Sequence, residues 1–91
     1  MAFPVNRNRI EILADILEVI KWQSNIRLIR IAYGANFPFD RAKKLLATLS
    51  SSGLVSVTKS DGVITYHITS RGLDFLEIHK KMLGFLEDLK E

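Results

Sequence analysis

Apolar residues recur at helical spacing from Asn6 to Trp22. Ile10, Leu13, Leu17 and Ile20 form one row, with Ile12, Ile16 and Val19 beside it. A row this wide predicts a first helix with a broad buried face. Asn6 or Asn8 is expected to cap it, because a short side-chain acceptor satisfies an orphan backbone N–H. Gln23, Ser24 and Asn25 break the pattern. A short second helix is predicted from Ile26 to Tyr33, with Leu28, Ile29 and Ala32 available to a core and Gly34 as its left-handed stop. After a turn over Gly34–Phe37, Pro38 suits the first turn of a third helix. Ala42, Leu45, Leu46 and Leu49 form the apolar stripe of that helix, with Arg41, Lys43, Lys44 and Thr48 on the other side. Gly53 is expected to end it.

The period then changes from helical to alternating. Val55 and Val57 are apolar and Ser56 and Thr58 polar, and Val63–Ile68 is rich in β-branched and aromatic residues. Asp61-Gly62 between two such runs is a strong hairpin signal. Thr69 or Ser70 is placed to cap a last helix running from about Arg71 to Lys90. Along it Phe75, Ile78, Met82, Phe85 and Leu89 are spaced as a heptad seam, with Leu73, Leu76, Leu83 and Leu86 in a second row. One helix on a three-helix body needs a single buried stripe. Two rows therefore predict a partner helix, the simplest being another copy of the chain. Phe75, Ile78, Met82, Phe85 and Leu89 are taken as the dimer interface, although periodicity leaves open which row meets the partner. The alternative is that the helix folds back along the first and buries both rows internally.

The fold expected from this order is mainly α with a β-hairpin (α+β). It is a winged helix-turn-helix with an extended C-terminal helix, formed by a short helix, a tight turn, a cationic helix and a hairpin wing. Residues 1–70 read as the DNA-binding domain and 71–91 as a dimerisation helix within the same compact unit. The major groove of B-DNA admits one helix, so base contacts are expected from the N-terminal part of the third helix. Arg41 has the forked geometry for a guanine edge, Lys44 reaches a base or a phosphate, and Lys43 suits a phosphate. Asp40 is read first as a helix cap and second as an acceptor for a cytosine amino group. Thr48 lies on the same face. Lys59 and Ser60 on the wing suit phosphates or the minor groove. Arg27 and Arg30, with Arg7 and Arg9, are candidate backbone contacts.

Charge sharpens this picture. The 91 residues carry a net +3, but residues 1–59 hold nine basic against four acidic side chains, while residues 60–91 hold four against six. A basic body suits a polyanion, and the tail suits another task. There is no cysteine, so disulfides and thiolate metal sites are excluded. His67 and His79 lie far apart without a nucleophile elbow, phosphate loop or metal spacing, so no enzyme, cofactor or metal is expected. Phe37, Phe39, Tyr66 and Trp22 read as packing residues, which argues against an RNA-stacking platform. The apolar stretches are too short or too broken by charge to span a membrane, and the chain reads as cytoplasmic and nucleoid-associated. No small-molecule ligand is evident.

Four segments also resemble a known group. Arg9-Ile10-Glu11-Ile12-Leu13, Ala35-Asn36-Phe37-Pro38-Phe39, Ser52-Gly53-Leu54-Val55 and Ile68-Thr69-Ser70-Arg71-Gly72 are similar to small archaeal winged-helix proteins, best known from the Sulfolobus 10a-type chromatin proteins. The resemblance runs from about Arg7 to Leu89. It implies DNA binding through the third helix and wing, dimerisation through the last helix, and an archaeal or archaeal-virus origin. Pro38 and Phe39 depart from the serine and tyrosine usual in that group, and the last helix is short. A transcriptional regulator is the favoured role. An architectural chromatin protein and a winged-helix protein-interaction module are the alternatives.

Overall fold

The computed structural model describes residues 4–23 and 25–89, with side chains from Arg9 onward. Its elements run α1 (Pro4–Lys21), α2 (Leu28–Gly34), α3 (Phe39–Ser51), β1 (Val55–Ser60), β2 (Val63–Ile68) and α4 (Ser70–Leu89). Helix α1 already begins at Pro4, so Asn6 and Asn8 lie inside its first turns and cannot cap it. Proline is at home there because its missing N–H is one that has no helical partner anyway. Ile16, Leu17 and Ile20 on α1 are fully buried and meet Ile31, Leu46 and Leu49 from α2 and α3. Val55 of β1 and Leu76 of α4 complete this core.

The second helix starts two residues later than its apolar pattern implies. Ile26 exchanges backbone hydrogen bonds with Tyr66, at 3.3 and 2.8 Å, as a one-residue third strand on the free edge of β2. Ile29 is 60% exposed and is not a core residue, whereas Ile31 is fully buried. Gly34 remains helical. The left-handed residue is Asn36, at φ 54°. The Asn36 N–H donates to the Tyr33 carbonyl at 3.1 Å and the Phe37 N–H to the Ala32 carbonyl at 2.9 Å. These paired bonds form a Schellman stop that satisfies the last carbonyls of α2. Gly34 matters for space, since a Cβ there would come within 3.0 Å of Val19 Cγ1.

The end of α3 repeats the device with Gly53 at φ 79°, bonded from Gly53 N–H to Ser50 and from Leu54 N–H to Leu49. Strands β1 and β2 pair antiparallel from Val55↔Ile68 to Ser60↔Val63. Asp61 and Gly62 both have positive φ, as a type I′ hairpin turn requires. Thr69 then ties the wing to α4. Its Oγ1 accepts from the Gly72 N–H at 3.0 Å, capping the helix, and donates to the Gly53 carbonyl at 2.7 Å. Arg71 Nε donates to the neighbouring Ser52 carbonyl at 3.0 Å. Thr69→Val keeps the shape and loses both bonds. It is expected to lower stability by about 1–2 kcal/mol, readable in a urea melt.

Helix α4 buries side chains against the body in its first half and lies more loosely along α1 in its second. Leu76 is buried and Phe75 lies against the core, while every side chain from Lys80 to Leu89 is exposed. Leu73, Leu76, His79 and Leu83 line the groove against Ala14, Asp15 and Glu18 of α1. Among the described residues no helix is long and apolar enough to cross a membrane.

Candidate nucleic-acid interface

The outward face of α3 follows from its winding of roughly 100° per residue. Ala42, Leu46 and Leu49 are buried and fix the inward direction. Asp40, Lys44, Ala47 and Ser51 then run along the opposite ridge, with Arg41 and Thr48 on one flank and Lys43 on the other. All of these are exposed. Ala47 and Ser51 belong to this ridge, yet their small size gives no chemical signal in a sequence. Two hydroxyls bond back to their own helix, Thr48 Oγ1 to the Lys44 carbonyl at 3.4 Å and Ser51 Oγ to the Ala47 carbonyl at 3.0 Å. With their protons so used, both oxygens remain acceptors.

Asp40 does not cap the helix. Pro38 occupies the cap position in extended backbone, at φ −60° and ψ 140°, and no side chain bonds the free N–H groups. The Asp40 carboxylate instead sits in the first turn, where the positive end of the helix dipole favours it. Arg41 leans back over the turn, its Cζ 5.1 Å from the centre of the Phe37 ring. Lys43 and Lys44 project freely among the described residues.

Arg27 is the residue before α2. Its carbonyl accepts from the N–H groups of Arg30 and Ile31, both at 3.0 Å, and its side chain and that of Arg30 are exposed. Arg9 is exposed on α1, and the side chain of Arg7 lies outside the described residues. At the wing, Lys59 pairs with Ile64 and Ser60 with Val63, so strand alternation sends these neighbours to opposite faces of the ribbon. Thr58 Oγ1 and His67 Nε2 lie 3.1 Å apart on the Ser60 face.

Two aromatic residues expected to pack are exposed instead. Trp22 is 75% exposed, with its Nε1 donating to Glu18 at 3.0 Å and Lys21 Nζ 5.3 Å from its ring centre. It follows the last turn of α1, where the core-facing row has already ended at Ile20. Phe39 is 46% exposed because it opens α3 before the helix meets the body. Tyr33, which drew no attention as a sequence feature, is the most exposed of these at 89%.

A three-helix body with a cationic third helix, a two-stranded wing and a trailing helix defines a winged helix-turn-helix protein. The chain belongs to the winged helix-turn-helix family, whose profile matches residues 6–87. A search of curated protein sequences finds no match. Among solved structures, the DNA-binding protein Sso10a-2 from Sulfolobus solfataricus superposes with a TM-score of 0.77 at 25% identity, over 88% of this chain and 82% of that one. This bears out the resemblance to the archaeal 10a-type proteins. A MarR repressor from Listeria monocytogenes follows at TM-score 0.65 and 20% identity. FabT of Streptococcus pneumoniae, solved in complex with DNA, gives 0.66 and 16%. The chain spans 60% of the length of each of these two, and at such identity they share its fold.

Proposed function

We propose that the protein binds double-stranded DNA as a homodimer in the cytoplasm and acts there as a transcriptional regulator. The observation that carries this is the chemical variety of the α3 ridge. It offers a carboxylate (Asp40), a forked cation (Arg41), a point cation (Lys44), a methyl group (Ala47) and a hydroxyl acceptor (Thr48) on one exposed face. Base edges in the major groove differ in these same properties, so such a face suits sequence readout better than a uniform cationic strip would. Lys43, Lys59, Ser60, Arg27 and Arg30 are assigned to phosphates around it. The description of Sso10a-2 as a DNA-binding protein and the DNA complex of FabT support the same reading.

Selection from random duplexes at fixed salt is the test of role. A defined motif supports regulation, and a flat profile points to an architectural protein. Arg41→Ala with Lys44→Ala is expected to weaken the selected duplex about 10- to 100-fold in a gel shift. The log of affinity should fall linearly with the log of salt, with a slope about one unit shallower for each phosphate contact removed. Unchanged affinity in the double variant would overturn the placement of α3 in the groove. If no duplex binds at low salt, the interaction-module reading takes its place.

A further inference from the structure

We infer that Phe37 is a positioning residue for Arg41, presenting its guanidinium in one orientation so that it selects guanine at a single position of the bound duplex. This rests on the DNA-binding reading above and adds to it the source of specificity.

The ring is fixed before the arginine meets it. Asn36 in left-handed backbone turns the chain, the Phe37 N–H is bonded to the Ala32 carbonyl at 2.9 Å, and the half-buried ring packs against the core. Phe37 is thus anchored by backbone on one side and by core residues on another. Arg41 follows four residues later, and its Cζ lies 5.1 Å from the ring centre. An exposed arginine ordinarily samples many rotamers. A guanidinium held on the face of an anchored ring samples few, and the electrostatics of the ring favour that arrangement.

The contact leaves the reading groups free. The N–H donors of a guanidinium lie in its plane and emerge at its edge, and an aromatic ring takes none of them as a strong hydrogen bond. Phenylalanine offers no acceptor to compete for them. No carboxylate among the described residues pairs with Arg41. A planar fork with free donors in a set orientation is what the paired O6 and N7 acceptors of guanine require. Lys43 differs, being an unrestrained point charge that adds affinity with little preference for sequence, and Lys44 reaches the groove without a ring to orient it. The Lys21–Trp22 pair is no parallel, because that indole is 75% exposed and is not seated in the core.

The experiment compares binding profiles of the wild type and four variants over the selected duplex and its single-base changes. The wild type is expected to prefer guanine at one position. Phe37→Leu keeps an apolar group against the core and should reduce that preference about two- to fivefold, with non-specific affinity and salt slope unchanged. Phe37→Tyr keeps the ring face and should keep the preference. Arg41→Lys and Arg41→Ala should flatten the position, and adding Phe37→Leu to Arg41→Ala should cost nothing further. A loss from Phe37→Leu that is equal on all duplexes, or that persists without Arg41, overturns the proposal. A wild type that binds no duplex overturns the DNA-binding reading first. One measurement needs no variant: 15N relaxation at Arg41 Nε in the free protein should report a more ordered side chain than at Arg27 or Arg30. Equal mobility at the three sites also overturns it.

Discussion

Gly72→Ala is expected to destabilise the protein by about 3 kcal/mol, lowering its melting temperature by about 12–24 °C at fixed protein concentration. A Cβ at Gly72 would overlap the Leu54 carbonyl oxygen and lie 2.7 Å from Ile68 Cγ1. A clash with a flexible side chain is relieved by a rotamer change. This one is with backbone, and that backbone is held in place. The Leu54 N–H is bonded to Leu49 at 2.9 Å and its carbonyl accepts from Thr69 at 3.2 Å. Relief therefore requires α4 to move off the start of the wing, which would stretch the Thr69 bonds to Gly53 and Gly72. A domain of this size has only about 5–14 kcal/mol of stability to lose. Gly84 provides the control within the same helix. Nothing lies within 4 Å of a Cβ built there, so Gly84→Ala is expected to stabilise by about 0.5–1 kcal/mol through helix propensity alone. Opposite signs from the same substitution in calorimetry would show that close approach, and not helix propensity, keeps glycine at Gly72. A neutral Gly72→Ala would mean that the contact of α4 with the wing is loose.

The features legible in the sequence are those whose causes are local. Asp61-Gly62 dictates its turn because two adjacent residues must take positive φ, and Gly53 and Thr69 announce a helix end and a helix start in the same way. Ile26 misleads because its role is not local. Nothing in its neighbours reveals that it pairs with Tyr66, forty residues on, and its apolar character fits a helix start equally well. Asn36 takes the left-handed position that Gly34 was expected to fill, since asparagine tolerates that conformation and the choice between them depends on which turn α3 can dock behind. The cations of α3 were legible as chemistry, but the ridge they share with Ala47 and Ser51 emerges only once Ala42, Leu46 and Leu49 fix the inward direction. The Phe37–Arg41 contact was hidden for a related reason. An i, i+4 spacing is visible in the sequence, yet Phe37 precedes the helix, and its ring is brought back under Arg41 only by the turn at Asn36.

The two rows of α4 pose the question that periodicity leaves open, namely which row the body uses. The body takes Leu76 and, at its edge, Phe75, with Leu73 and Leu83 along the α1 groove. Met82 and Leu86 lie with Leu83 against Ile10 and Glu11 of α1, and the outward remainder is Ile78, Phe85 and Leu89, which are 66, 70 and 75% exposed. Left in water, three large apolar side chains on one helix would promote association of any kind, and a two-fold pairing of α4 with α4 is the closed form of it. Burying both copies supplies several kcal/mol before association costs. Ile78→Asp with Phe85→Asp should abolish the proposed dimer and leave a monomer in sedimentation equilibrium. The helical circular dichroism should be largely kept, because neither side chain supports the domain core. Buried carboxylates on both helices at one seam cost several kcal/mol each to desolvate and repel one another, and the exposed Lys81, three residues after position 78 and four before position 85, offsets only part of that cost. Leu76→Asp must behave differently. It places a charge in the core of a single protomer and should unfold the chain, not merely dissociate it. A double variant that still dimerises would move the partner surface off this row, and a wild type that sediments as a monomer at micromolar concentration would overturn the proposed dimer. The two α3 ridges would then have to engage DNA independently, and the salt dependence of binding would report the contacts of one protomer only.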